Sequence, residues 1–189
     1  MANSDAAFGF RPVNRTGSPY SGAAQRCVIA SGDGTATFAG DAVKLAGSSV
    51  NGYPTVIQCA AGDPVFGVVT SFEANGSDLS LQYRAASTQR FCQVAMASDS
   101  FFEVQADDDT TTIAATDVGL NADFVVGTGS TVTGYSAMEL NSNTNGTSSA
   151  LDLQIVALVD RADNEIGAIN QNVIVRFNDP QDKPVRTGV

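Results

Sequence analysis

The strongest constraint on this chain is the recurrence of short segments rich in β-branched and aromatic residues, each closed off by turn residues. RCVIA (26–30), TFAGDAVKLA (37–46), TVIQCA (55–60), VFGVVTSFEA (65–74) and LSLQYRA (79–85) are followed by RFCQVAMA (90–97), FFEVQA (101–106), STVTGYSAMEL (130–140), LDLQIVALVD (151–160) and NVIVRF (172–177). Each is about one strand long, and the even spacing predicts a mostly-β protein, a compact antiparallel barrel or sandwich. The pairs Asn51-Gly52, Asn75-Gly76 and Asn145-Gly146 fall between such runs. Both residues of an Asn-Gly pair tolerate positive φ, so each predicts a type I′ hairpin turn, most firmly at 75–76, where VVTSFEA precedes and DLSLQY follows. At most one short helix is expected, in DVGLNADF, with Thr116 and Asp117 as its cap and Gly127 beyond its end.

With 189 residues the chain can bury about 70% of the surface its unfolded form exposes, enough for a real core. The segments divide it into an extended N-terminal arm (1–25), a β-rich domain (26–180) and a C-terminal tail (181–189), with a sub-division of the domain near 110–116 left open. The stretch NSNTNGTSS (141–149) reads as an exposed loop. No run approaches the roughly 20 apolar residues of a membrane helix, and the basic-then-apolar order of an export signal is missing at the start, so no membrane partner is expected.

The absence of histidine removes the commonest general base, the Ser-His-Asp and Cys-His arrangements and most catalytic zinc sites. Carboxylate-only catalysis of the glycosidase type stays open, but with no Trp and four Tyr the aromatic platforms of sugar sites are scarce. Asp107-Asp108-Asp109 has the ligands for a hard cation but not the alternating spacing of a calcium loop, and reads as a solvated loop. DRADNEIG (160–167), with Asp160, Asp163, Asn164 and Glu165, reads as a polar turn. GTGSTVTG (127–134) has no helix pattern behind it, so its glycines serve turns, not phosphates. Cys27, Cys59 and Cys92 are far apart and lack a CxxC pair, which fits small buried apolar residues. No catalytic residue, cofactor or metal site is expected.

Charge is unevenly placed. Arg11, Arg15 and Arg26 outnumber Asp5 near the start, and Arg176, Lys183 and Arg186 outnumber Asp179 and Asp182 near the end, so the stretch between is more negative than the whole chain's −10. Such a body repels phosphates, and no nucleic-acid partner is expected. Basic ends on it either touch an acidic protein surface or pack on their own domain. QYRAASTQRF (82–91) interleaves basic and aromatic residues in a way that fits strand positions alternating between two faces.

The opening MANSDAAFGFRPVNRTGSPY is the unusual segment. Ordering some twenty residues costs roughly 20–40 kcal/mol in backbone entropy. Burying Phe8 and Phe10 returns only about 3–6 kcal/mol. The arm is therefore either disordered or ordered by backbone hydrogen bonds and further burial against another surface, as when a segment adds to a sheet edge.

ANSDAAFGFRPV, FAGDAVKLAG, DPVFGVV, FFEVQAD with TDVGLNADFV, and LQIVALVDRADNEIGAINQNVIVRFND, taken in this order from residue 2 to about 179, resemble the structural cement, or head-decoration, proteins of tailed bacteriophages. The resemblance implies a non-enzymatic homo-oligomer, a trimer before a dimer. It would be made in the host bacterial cytoplasm and carried on the outer surface of the virion, where it bridges subunits of the major capsid protein. It places the capsid contact in the arm, at Phe8, Phe10, Arg11 and Pro12. The phenylalanines would anchor it, and Arg11 and Arg15 would pair with shell carboxylates. The stretch 82–100 carries no motif of that resemblance. Two rivals are a carbohydrate-binding or host-attachment sandwich using loops such as 141–149, and a glycan hydrolase using Asp107 to Asp109.

Overall fold

Successive side chains of a strand point to opposite faces. In this chain both members of the neighbouring pairs Ala42/Val43, Val68/Val69 and Val94/Ala95 are fully buried, so these strands must be packed on two sides. The computed structural model describes residues 3–14, 20–107 and 110–182 and shows how. In chain order its strands are β1 (Arg11–Val13), β2 (Gln25–Ile29), β3 (Ala42–Val50), β4 (Tyr53–Gln58), β5 (Gly67–Phe72), β6 (Arg90–Met96) and β7 (Phe101–Gln105). They continue as β8 (Asn121–Ala122), β9 (Phe124–Gly127), β10 (Ala137–Leu140), β11 (Leu153–Leu158) and β12 (Asn172–Phe177).

The strands β2-β4-β3-β5-β6 close into a barrel, antiparallel throughout except where β2 meets β4. Its interior holds Cys27, Ile29, Val43, Val56, Phe66, Val69, Cys92 and Val94. A second, five-stranded sheet runs β1-β7-β12-β11-β8. The outward residues of the barrel, Ala42, Val68 and Ala95, meet that sheet's Phe102, Val104, Ile155 and Val175, and Phe124, Met138 and Leu140 of the antiparallel pair β9–β10, in one core. Val13, Val159 and Ile174 form a smaller cluster on the sheet's other face. The chain passes from barrel to sheet between Met96 and Phe101, while 110–116 lies within the second half and contains no change of sheet.

The mostly-β expectation holds, with single-turn 3-10 segments at Ala115–Asp117 and Ser142–Thr144 as the helical elements among the described residues. Several local expectations are corrected. The hairpin at 51–52 forms as expected, with φ +52° at Asn51 and +81° at Gly52, between the paired Val50 and Tyr53. Asn75-Gly76 is not a hairpin turn: Asn75 Oδ1 accepts the Ser77 N–H at 2.9 Å, and β5 pairs instead with β6, beyond residue 89. Asn145-Gly146 closes no hairpin either; Gly146 exchanges backbone hydrogen bonds with Asn121. The helix expected in DVGLNADF is replaced by β8 and β9, because Gly119 sits at φ +97° and Ala122 and Phe124 reach the core with the two-residue period of a strand.

The largest correction concerns the arm. Residues 3–14 are built into the protein: β1 pairs antiparallel with β7, Arg11 opposite Glu103 and Val13 opposite Phe101. Phe10 is 1% exposed. Its ring lies 5.1 Å from Phe177, 5.8 Å from Phe124 and 6.4 Å from Phe102, measured between centroids. The approach depends on two glycines that cross. Gly9 at φ +71° would place a Cβ 2.5 Å from that of Ser136 and 2.6 Å from the Gly40 carbonyl oxygen, and that oxygen accepts the Phe10 N–H at 2.9 Å. At the other end, Gln181 Oε1 accepts the Leu45 N–H at 2.7 Å, and the tail from residue 183 onward lies outside the described residues.

Candidate interaction surface

Once Phe10 is committed to the core, the arm's neighbouring residues are fixed on the surface around it. Arg11 is exposed and lays its guanidinium over the Phe8 ring, with Cζ 4.5 Å from the centroid. A contact of this kind at the surface is worth about 0.5–1 kcal/mol, enough to bias the side chain but not to lock it. The pair forms a ridge. On one side lies a groove of about 230 Å³ walled by Phe8, Pro12, Tyr20, Val69 and Tyr135, with Phe10 behind it. Tyr135 is 55% exposed and stands on the loop between β9 and β10. Phe8, Arg11 and Pro12 thus line one surface groove. Phe10 is not available to a partner, because it fills the protein's own core. Arg15 lies outside the described residues.

Three other arginines singled out in the sequence, Arg26, Arg84 and Arg90, are engaged internally. Arg26 is held between Tyr53 and Phe91, with its Cζ 4.4 and 4.0 Å from their centroids, and donates to both oxygens of Glu73 at 2.5 and 2.9 Å. The Arg26 hydrogen bond holds the Glu73 carboxyl below its usual range. The strand expected at 79–85 does not form, and Arg84 and Arg90 do not alternate on two faces. Arg84 is fully buried and donates to the carbonyls of Ala30, Asp33, Thr35 and Thr88. Arg90 donates to those of Glu73, Leu81 and Tyr83. A guanidinium presents its donors in a fixed fork, so these two side chains tie an irregular loop that would otherwise leave its carbonyls unpaired. Arg11, by contrast, has no carboxylate partner among the described residues.

On the ridge's other side the arm is sewn to β7 and to the loop between β11 and β12. Asn3 exchanges hydrogen bonds with the backbone of Glu165 and donates to the Ile169 carbonyl. Gln105 accepts the Ala6 N–H at 2.9 Å and donates to Ser4 and Asn170 carbonyls at 3.0 Å. Arg161 meets the buried Glu103 at 2.8 Å and the exposed Asp163 at 3.1 Å, and the Glu103 hydrogen bond pushes its pKa up. No sequence signal singled out Asn170, Asn172 or Tyr135, which join this region only through the fold.

Asp107 has a structural task. Its Oδ1 accepts the Ser142 N–H and hydroxyl, closing the 3-10 turn, while Asp108 and Asp109 lie outside the described residues. Among the described residues no cluster of His, Cys, Asp or Glu has the arrangement to hold a metal ion. All three cysteines are free and buried, and burial pushes their thiols up, to about 12 for Cys27. No helix of the described residues is long and apolar enough to cross a membrane. Comparison with protein-family models, curated proteins and solved structures finds no match to the chain.

Proposed function

We propose that the chain is a structural cement protein of a tailed-phage head, attached to the outer surface of the major capsid shell through the Phe8–Arg11 ridge and the apolar groove beside it. The observation that carries this reading is Arg11, an exposed guanidinium with a ring partner and no carboxylate among the described residues, at the edge of an apolar groove. A shell carboxylate completes the guanidinium, and an apolar side chain next to it fills the groove. The resemblance of the segments from residue 2 to about 179 to those of cement proteins supports the same reading. The protein then acts without catalysis or cofactor, as a brace between neighbouring capsid subunits on the virion exterior. Bridging requires several attachments per particle. In a homo-oligomer, a trimer before a dimer, the second and third ridges bind at high effective concentration, so a modest contact per ridge suffices.

Truncating the arm does not test this, because it also removes β1 and Phe10 from the core. Surface substitutions do. Arg11→Gln and Tyr135→Ala are expected to lower the melting temperature of the isolated protein by no more than about 2–4 °C while weakening binding to undecorated, expanded heads, by about tenfold for the loss of the Arg11 charge. Binding by both variants equal to that of the unsubstituted protein would overturn the assignment of this surface.

A further inference from the structure

The three Asn-Gly pairs share a latent reactivity, and the fold gives each a different setting. In such a pair the backbone nitrogen of the glycine can attack the side-chain carbon of the asparagine, since glycine has no Cβ to oppose the approach. The barrier depends on how freely the two atoms come together and on what stabilises the oxygen as it takes up charge. At 51–52 both residues are fixed in the left-handed region, φ +52° and +81°, between the paired Val50 and Tyr53. Bringing the nitrogen over the side chain there means giving up the turn. At 145–146 the Gly146 N–H donates to the Asn121 carbonyl at 2.9 Å, and the Gly146 carbonyl accepts the Asn121 N–H at 2.8 Å. Asn145 Nδ2 donates to Asp117 Oδ2 at 3.5 Å, and Asn145 Oδ1 is buried without a donor. The attacking nitrogen is held in place, and no group there stabilises the oxygen.

Asn75-Gly76 differs on each count. Gly76 is exposed, a Cβ added to it would meet nothing within 4 Å, and neither residue is left-handed. Among the described residues the Gly76 N–H donates to no group. β5 ends at Phe72 and β6 begins at Arg90, so no strand ladder flanks the pair. Asn75 Oδ1 already accepts the Ser77 N–H at 2.9 Å. That bond draws electrons from the side-chain carbon and is in place as the oxygen becomes anionic, the arrangement of an oxyanion hole. We infer that Asn75 is a self-modification site, deamidating in the folded protein while Asn51 and Asn145 are protected. The Gly76 nitrogen gives its proton to hydroxide and bonds to Asn75 Cγ; the Cγ–Nδ2 bond breaks, and Nδ2 takes a proton from water and leaves as ammonia. One water then opens the cyclic imide at either of its carbonyls, giving aspartate or an isoaspartyl link that carries the chain through Cγ. Nothing is oxidised or reduced. Either product adds a negative charge near Asp78, whose N–H donates to the Asn75 carbonyl, in a loop whose far end Arg90 holds through the Leu81 and Tyr83 carbonyls. The site does not rest on the capsid reading, since residues 75–81 take no part in the apolar groove.

The test incubates the full chain at mildly alkaline pH and maps its peptides by mass, scoring each Asn-Gly pair for the gain of one dalton and for isoaspartate. In the native protein Asn75 is expected to react at least about tenfold faster than Asn51 and Asn145, which react only through local opening. In urea the three pairs lose their settings, and the three rates are expected to converge. Gly76→Ala, which has open space for its methyl, is expected to slow the native reaction at Asn75 about tenfold, because the methyl opposes the approach of the nitrogen. Equal native rates at the three pairs, a faster reaction at Asn51 or Asn145, a native ranking that persists in urea, or a rate at Asn75 unchanged by Gly76→Ala would overturn the inference.

Discussion

Replacing Phe10 by alanine separates an arm that belongs to the protein from an arm awaiting a partner. The ring is 1% exposed and packs edge-on or tilted against Phe102, Phe124 and Phe177 at 5.1–6.4 Å. Losing it removes the transfer free energy of a buried aromatic and leaves a cavity, for about 3–5 kcal/mol in all. The walls have little room to collapse, since Gly9 and Gly40 are already in backbone contact beside it, which points to the upper part of that range. For a chain of this size each kcal/mol lowers the melting temperature by about 2–4 °C, so Phe10→Ala is expected to melt roughly 6–20 °C earlier. Urea unfolding of the isolated protein gives the free energy directly, read as a lower midpoint at unchanged slope. A stability within about 0.5 kcal/mol of the unsubstituted chain would refute the reasoning, because that is the behaviour of a residue at the surface.

Two further predictions concern turns and charge. Gly52→Ala should cost about 1–2 kcal/mol in the same urea assay, because Gly52 holds φ +81°, whereas Gly76→Ala, which has open space at its Cβ and no positive φ, should cost less than about 0.5 kcal/mol. Equal effects would refute the contrast between the two Asn-Gly pairs. Asp152 joins the two layers by accepting the Gly62 N–H at 3.0 Å, and burial raises its carboxyl to about 6. A raised carboxyl means the folded state binds the proton more tightly than the unfolded chain, so its contribution is complete below about pH 4 and fades as pH rises through about 6. Relative to the unsubstituted chain, Asp152→Asn should therefore be more stable at about pH 7.5 than at about pH 4, by on the order of 2 kcal/mol; a pH-independent difference between the two proteins would contradict this.

The strands were legible where packing on both faces leaves an unbroken apolar run, as in VFGVV and NVIVRF. Asn51-Gly52 was legible because turn chemistry and pairing act within a few residues. Asn75-Gly76 misled because LSLQYRA, despite its alternation, is held as a loop by the forks of Arg84 and Arg90, whose carbonyl partners extend back to Ala30. DVGLNADF misled because a possible cap outweighed the two-residue spacing of Ala122 and Phe124. The arm's composition pointed to Phe8, Arg11 and Pro12 as a surface group. It gave no means of separating them from Phe10, because the core that takes Phe10 is assembled from Phe102, Phe124 and Phe177. Asn170 and Asn172 were invisible for the same reason: their place beside Arg11 follows from the loop between β11 and β12 folding back on the arm.

The capsid proposal, under which a tailed phage encodes this chain, meets its most direct test in an image of that phage's mature head at side-chain resolution. The account predicts the chain on the outer surface, with a shell carboxylate at Arg11 and an apolar side chain between Phe8, Pro12 and Tyr135. A head that lacks the chain, or one that carries it with this ridge and groove facing solvent, would contradict it.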